Sequence, residues 1–283
     1  MNKIKHIIKC VSIILLNIFM IASIACSKKD KYDYSWTENR TIVHALGIVD
    51  DITMTNSFEA FQNSLQQGQT VFEVDLALTS DNELICAHDL GCVGADNLEA
   101  DSLNEVSKEE FMSIKIQGKY TPLCMEDLIL LMRDNPQIYI VTDTKADQPE
   151  EIGIQFNNIV ELAKKNDCPQ VLDRIIPQIY NEDMFFQLKT IYDWKSYIYT
   201  SYYTFDDQWD EDKFIDFAAE NGIGVLTVFA GRGTDHLLEK ANSLGLKVYV
   251  HTYNTEEERQ AFMDRGFWGL YTDSLPPIQN DSN

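Results

Sequence analysis

Short apolar runs of strand type recur along this chain, and most are separated by stretches with a helical pattern. They cover residues 41 to 46, 71 to 78, 83 to 88, 138 to 143, 174 to 180, 196 to 203, 224 to 230, 247 to 253 and 269 to 273. Strands that alternate with helices favour a parallel sheet covered by helices. Without an N-terminal leader the chain has about 255 residues, the usual size of a one-domain barrel. The pattern predicts an α/β protein with a single TIM (β/α)8-type barrel.

Nine strand-like runs are one more than an eight-stranded barrel contains. The second and third runs are separated only by a short turn, which leaves no room for a helix between them. This spacing predicts a hairpin-like departure from strict alternation, so that one run lies outside the barrel.

The N-terminus has the pattern of a targeting segment. Three lysines precede an apolar run over residues 10–24, and Ser23-Ile24-Ala25-Cys26 resembles a bacterial lipoprotein cleavage site. We predict a signal peptide at 1–25, lipidation of Cys26 with a polar tether at 26–40, the barrel at 41–278 and a tail at 279–283. The alternative is a transmembrane helix, although the run is short. The expected location is the bacterial cell envelope, with the protein anchored in a membrane and facing the periplasm or the cell exterior.

The charge of the chain limits its partners. The formal net charge is −22, and removal of the leader, with three lysines and no acid, takes it to −25. Such a surface repels nucleic acid, so we predict no nucleic-acid partner. A small phosphodiester would also be repelled unless a bound cation reversed the sign of the potential inside the pocket. We predict no protein partner.

Carboxylates within apolar strands are the first candidate site. Glu73 and Asp75 lie two residues apart and therefore point to the same face of their strand, and Asp143 ends another strand. A Glu-x-Asp pair on a strand is usually a solvated edge, but this pair interrupts an otherwise apolar run. Three carboxylates could surround one divalent cation that prefers oxygen ligands, Ca²⁺ or Mg²⁺.

Two histidines at strand ends are the second candidate site. His44 and His88 each lie toward the C-terminal end of a predicted strand, and the C-terminal ends of barrel strands carry the chemistry of such enzymes. Phosphodiester cleavage needs a base for the attacking hydroxyl and an acid for the leaving alkoxide. We interpret the pair as catalytic acid and base without assigning either role. The alternative is two structural histidines.

The order of these motifs resembles the glycerophosphodiester phosphodiesterase family, whose order is His-Arg-Gly, Glu-Asn, Glu-x-Asp and His-Asp, followed by a strand with Glu-x-Lys. The resemblance extends from about residue 41 to 275. The matching segments are His44-Ala45, Thr55-Asn56, Glu73-Val74-Asp75, His88-Asp89, Asp143-Thr144-Lys145 and Gly269-Leu270-Tyr271-Thr272-Asp273.

The resemblance implies a metal-dependent phosphodiester hydrolase. It places Glu73, Asp75 and Asp143 as metal ligands, and Lys145 and His251 as substrate-binding residues. It also implies that the glycerol hydroxyl of the substrate itself is the nucleophile. Glycerophosphodiesters or related phospholipid headgroup diesters are the expected substrates.

Departures from the family pattern leave alternatives open. Ala45 replaces the arginine that clamps phosphate, and Thr55 replaces the glutamate of Glu-Asn. These changes fit a phosphodiesterase for another substrate, a phosphoinositide phospholipase C-like lyase, or a lipoprotein that has lost activity and binds a ligand.

Overall fold

The computed structural model describes residues 32–94, 98 and 100–278. It contains nine strands in one sheet. The strands are β1 (Thr41–Val43), β2 (Val71–Leu78), β3 (Leu84–Cys86), β4 (Tyr139–Asp143), β5 (Ile175–Ile179), β6 (Ile198–Thr200), β7 (Val225–Phe229), β8 (Lys247–His251) and β9 (Gly269–Thr272). All except β3 are parallel to their neighbours, in the order β1-β9-β8-β7-β6-β5-β4-β2, and pairing of β1 with β2 closes the barrel. The predicted TIM-type barrel is confirmed.

Helices connect the strands over the outside of the barrel. They are α1 (Phe58–Gln66), α2 (Leu90–Val93), α3 (Lys108–Ser113), α4 (Met125–Asp134), α5 (Pro149–Lys165), α6 (Glu182–Ile191), α7 (Glu211–Asn221), α8 (Asp235–Ser243) and α9 (Glu256–Arg265). Ser57 caps α1, because its hydroxyl accepts the backbone N–H of Ala60 at 3.2 Å. No helix in the described ranges has the length and hydropathy that crossing a bilayer requires.

The predicted hairpin is formed by β2 and β3. β3 runs antiparallel to the end of β2 that extends beyond the barrel, with Leu76 opposite Cys86. The segment from residue 84 to 124, here called the insert, follows this turn. It has a hydrophobic cluster separate from the barrel core, built around Ile85, Phe111 and Ile116.

The bottom of the barrel interior is an apolar layer with one side chain from each of the eight barrel strands. These are Ile42, Val71, Val141, Ile176, Ile198, Val225, Tyr249 and Tyr271. Trp36 closes the layer from below and is 4% exposed, with its indole N–H donating to Ser196 Oγ at 3.1 Å. Residues 35–39, predicted as part of the polar tether, therefore form a 3₁₀ turn against the barrel, since an indole gains more from this apolar layer than from water.

The layer above it is polar on every strand. Side chains alternate along a strand, so the position two residues further faces the interior again, one layer nearer the C-terminal mouth. Those eight positions are His44, Glu73, Asp143, Gln178, Thr200, Thr227, His251 and Asp273. The same alternation that forms the apolar floor therefore gathers polar groups beneath the mouth.

Three further predictions concern residues outside the described ranges. These are the signal peptide at 1–25, the lipidated Cys26 and the tail at 279–283.

Candidate active site

Three carboxylates meet at the C-terminal mouth of the barrel. Glu73 and Asp75 are 2% and 1% exposed, and Asp143 lies directly opposite Asp75 in the register of β2 and β4. One oxygen from each of the three lies within 4.8 Å of the others. The structure thus brings together all three residues that the sequence predicted as metal ligands.

Neighbouring groups hold each carboxylate in place. The Ala45 N–H donates to Glu73 Oε2 at 2.7 Å, from a backbone whose φ of 47° is left-handed. Asn56 is bonded twice to Asp75, because its Nδ2 donates to Oδ2 at 2.9 Å and its Oδ1 accepts the Asp75 N–H at 3.1 Å. The Tyr180 hydroxyl donates to Asp143 Oδ1. These bonds fix the carboxylates before any ligand binds.

Lys145 is the nearest cation, and its ammonium bonds Asp75 and also Asp143 Oδ2, the latter at 3.3 Å. Burial favours the neutral form of Asp75, but the ammonium outweighs it and lowers the pKa of that carboxyl. No cation within the described ranges forms an ion pair with Glu73. Burial, reinforced by the charge of Asp75, raises its pKa to about 8.

The charges at the mouth fit a divalent cation. When all are ionised, Glu73, Asp75, Asp143 and Asp273 bring four negative charges, whereas Lys145 and a protonated His44 bring two positive ones. A bound cation would itself favour the ionised form of Glu73, whose pKa burial raises in the metal-free protein. A divalent ion would balance the two negative charges that remain, and an all-oxygen donor set suits Mg²⁺ or Ca²⁺. The cluster is therefore suited to a hard divalent ion in both charge and ligand type.

His44 belongs to a hydrogen-bonded chain that ends in Asn254. Its Nδ1 bonds Asp273 Oδ1 at 2.8 Å, and Asp273 Oδ2 accepts from Asn254 Nδ2 at 2.7 Å. Burial alone would lower the pKa of His44, but the bond to Asp273 and the nearby charges of Glu73 and Asp75 raise it to about 9. Without a bound metal, His44 is therefore protonated at neutral pH.

This pairing predicts a pH dependence of stability in the metal-free protein. Because the pKa of His44 is higher in the folded state (about 9) than its ordinary value of 6.5, the stabilisation is complete below pH 6.5. It is lost as pH rises through 9, and amounts to about 3 kcal/mol. We expect the stability difference between wild type and Asp273→Asn, measured by urea unfolding, to shrink between pH 7 and 10. A constant difference would contradict the charged pair.

His88 lies at the rim and is carried by the insert rather than by the barrel. The Ala87 N–H donates to the Asp75 carbonyl oxygen at 3.0 Å, which brings the next residue to the mouth. His88 Nδ1 bonds Asp89 Oδ2 at 2.6 Å. His88 and Lys145 both line a cavity of about 520 Å³. His88 thus follows a hairpin strand, and not a barrel strand.

His251 forms part of an aromatic wall beside His44. Its ring centroid is 5.3 Å from that of His44 and 4.7 Å from that of Tyr271. Burial, together with the positive charge of His44, lowers the pKa of His251 to about 3, so this imidazole is neutral. Its predicted role in substrate binding remains a prediction.

Sequence reasoning gave no site role to the residues that support the cluster. Asp273 and Asn56 lie within segments that match the family pattern, and their polar side chains beside buried strands could have indicated a role in the site. Tyr180 ends a predicted strand and Asn254 directly follows one, but only the fold shows that they contact Asp143 and Asp273.

Comparison with known proteins gives one family. The sequence model of the glycerophosphoryl diester phosphodiesterase family matches residues 47–275. No curated protein matches the chain. A glycerophosphodiester phosphodiesterase from Parabacteroides distasonis superimposes with a TM-score of 0.66 at 17% identity, covering 84% of this chain and 93% of its own. A phosphodiesterase from Oleispira antarctica, in complex with the product sn-glycerol-3-phosphate, has a TM-score of 0.66 at 14% identity, covering 83% and 92%. At these identities the structural likeness shows the fold.

Proposed function

This chain belongs to the glycerophosphoryl diester phosphodiesterase family, and from that premise we propose that it hydrolyses glycerophosphodiesters with a divalent cation and two histidines. The observation that carries the proposal is the cluster of Glu73, Asp75 and Asp143, within 4.8 Å of one another and beside the protonated His44. A buried cluster of this charge is costly to the fold, so random substitution after a loss of function would not be expected to keep it.

The carboxylate cluster would hold the cation, Mg²⁺ or Ca²⁺, which neutralises charge on phosphoryl oxygens when bound. Lys145 would hold one of these oxygens as a point charge, because its ammonium already lies at the cluster. Ala45 stands where the family pattern has an arginine, and its side chain has no hydrogen-bond donor. Lys145 therefore binds the phosphoryl oxygen without help from an arginine beside His44. The Asn56 and Ala45 bonds keep Asp75 and Glu73 oriented toward the mouth.

Two proton transfers complete the reaction. The glycerol hydroxyl of the substrate attacks phosphorus as the bond from phosphorus to the leaving alcohol oxygen breaks, and water then attacks the cyclic phosphate and opens it to glycerol phosphate. We assign His44 as the acid that protonates the leaving alkoxide, because Asp273 stabilises its imidazolium. His88 accepts the proton of the attacking hydroxyl, and Asp89 stabilises the charge that develops on its ring.

The cavity beside His88 and Lys145 suits a cationic alcohol. Its lining includes the carboxylates of Asp89, Asp101 and Glu151. An ammonium group would be attracted by these charges, whereas an anionic headgroup would be repelled. Choline or ethanolamine diesters of glycerol phosphate are therefore the proposed substrates, and sn-glycerol 3-phosphate the proposed product.

A substrate panel tests this function. We expect purified protein to cleave glycerophosphocholine and glycerophosphoethanolamine faster than glycerophosphoinositol, since only the first two bring a cation to the acidic cavity. Turnover should require Mg²⁺ or Ca²⁺ and disappear after treatment with a chelator. Release of glycerol 3-phosphate and the free alcohol can be measured by coupled assay or by phosphorus NMR.

The same assays distinguish the proposed hydrolase from the alternative functions. Full turnover after rigorous removal of metal would contradict the cation assignment. A cyclic phosphate product, formed from phosphatidylinositol, would indicate the lyase. Binding without cleavage of any diester would indicate a ligand-binding lipoprotein.

We also propose that Cys26 carries a lipid anchor that holds the enzyme at the cell envelope. Several acyl chains on one cysteine would bind a membrane stably, whereas a single chain binds only marginally. The native protein is expected to sediment with membranes, and Cys26→Ser to block acylation and maturation. Mass spectrometry of the mature N-terminus measures this directly, and an unacylated soluble wild-type protein would contradict the anchor.

A further inference from the structure

A second group of potential metal ligands lies at the rim of the mouth and shares no residue with the carboxylate cluster. His88, Asp89 and Cys92 each offer one ligand atom, and these atoms lie within 4.8 Å of one another. Asp89 links the other two, because Oδ2 bonds His88 Nδ1 at 2.6 Å and Oδ1 accepts the Cys92 N–H at 2.8 Å. Cys92 is a free thiol.

The two sets differ in ligand chemistry. Glu73, Asp75 and Asp143 offer only hard oxygens, whereas the rim set offers nitrogen, oxygen and sulfur. Thiolate and imidazole select borderline-soft transition ions, and zinc is bound by cysteine, histidine and carboxylate ligands. We propose that His88, Asp89 and Cys92 bind Zn²⁺ and that this binding inhibits the enzyme.

The rim set can close around an ion. Ligand atoms of a tetrahedral zinc site lie about 3.3 to 3.8 Å apart, so the present spacing needs an adjustment of roughly an ångström. The side chains of His88 and Asp89 are 34% and 53% exposed, so both can shift by this amount without displacing buried atoms. On binding, Cys92 releases its thiol proton to solvent, and water completes the coordination.

Inhibition rests on the proposed role of His88. An imidazole bound to zinc cannot accept a proton from the attacking hydroxyl, and Asp89 would bond the metal instead of the ring. The enzyme would therefore need a hard ion at its carboxylates and be inhibited by a softer one at its rim. The two sites share no ligand, so each can be changed by substitution without removing a ligand of the other.

Cobalt provides a readout that does not depend on activity. Full-length protein with excess Mg²⁺ is titrated with Co²⁺, and a thiolate ligand gives a near-ultraviolet charge-transfer band. We expect the band in wild type, its loss in Cys92→Ser, and its retention in Cys168→Ala, a control at a buried thiol. Zn²⁺ should displace Co²⁺ and abolish the band. A band of equal size in Cys92→Ser would overturn the site.

Zinc inhibition is then measured with the substrates cleaved by wild type. Cys92 has no role in the proposed chemistry, so Cys92→Ser should keep basal turnover and raise the inhibitory Zn²⁺ concentration at least about tenfold. Asp89→Asn, which keeps the cap on α2, should weaken Co²⁺ binding similarly. Unchanged inhibition in Cys92→Ser would overturn the inhibitory role. If no diester is cleaved, the proposed function fails, and the cobalt band still decides whether the rim binds metal.

Discussion

Replacing His44 or His88 by alanine is expected to lower kcat by about 10² to 10⁴-fold, the usual effect of removing a positioned proton-transfer group. His44 is held by Asp273 at 2.8 Å and His88 by Asp89 at 2.6 Å, so each ring is already oriented. Steady-state kinetics on the best diester of the panel measures both losses. The two losses should not add in the double variant, because both groups act on one reaction.

His236→Ala is the matched control for these variants. His236 lies on α8, exposed and bonded to Asp212 at 2.9 Å, outside the barrel mouth. Its loss should leave kcat within a fewfold of wild type. If His44→Ala and His88→Ala stayed within the same range while folded, the two histidines would be structural and the proposed acid and base would lie elsewhere.

Asp75→Asn is expected to lower kcat about 100-fold or more and to weaken the affinity for Mg²⁺ or Ca²⁺. Changes to groups that only support a metal ligand cost 10 to 100-fold, and Asp75 is a proposed ligand itself. The amide keeps the size of the carboxyl but removes the charge that faces Lys145 and Asp143. Calorimetric titration of the metal, together with kinetics at saturating metal, measures both effects.

Asp210→Asn provides the control for this change of charge. Asp210 caps α7 by accepting the Lys213 N–H at 3.1 Å, and asparagine caps helices equally well. Metal affinity should be unchanged in that variant. If Asp75→Asn bound metal as tightly as wild type, the ion would occupy some other part of the molecule.

Periodicity and chain length predicted the barrel, and periodicity together with the resemblance to the family predicted the carboxylate site. Glu73 and Asp75 share a face because they are two residues apart, and the short turn after β2 required the hairpin that β3 forms. Asp143 was predicted because it ends another strand, and the register places it opposite Asp75. These conclusions depend on local geometry, which a sequence specifies well.

The remaining features depend on long-range contacts and backbone conformation. His44 and Asp273 are 229 residues apart and meet only because β1 and β9 are neighbours in the closed barrel. The N–H that holds Glu73 comes from Ala45 in a left-handed conformation, which residue type does not predict there. Trp36 was assigned to a tether because polar neighbours surround it in the sequence.

The separate hydrophobic cluster of the insert has a consequence for how the enzyme loses activity. Small clusters with few partners open at lower free energy than a barrel core, as local unfolding of one cooperative unit. His88 is in the insert, whereas Glu73, Asp75 and His44 belong to the barrel. Warming would therefore release the base while the barrel and its metal ligands stay folded. Inactivation would precede global unfolding and would reverse on cooling.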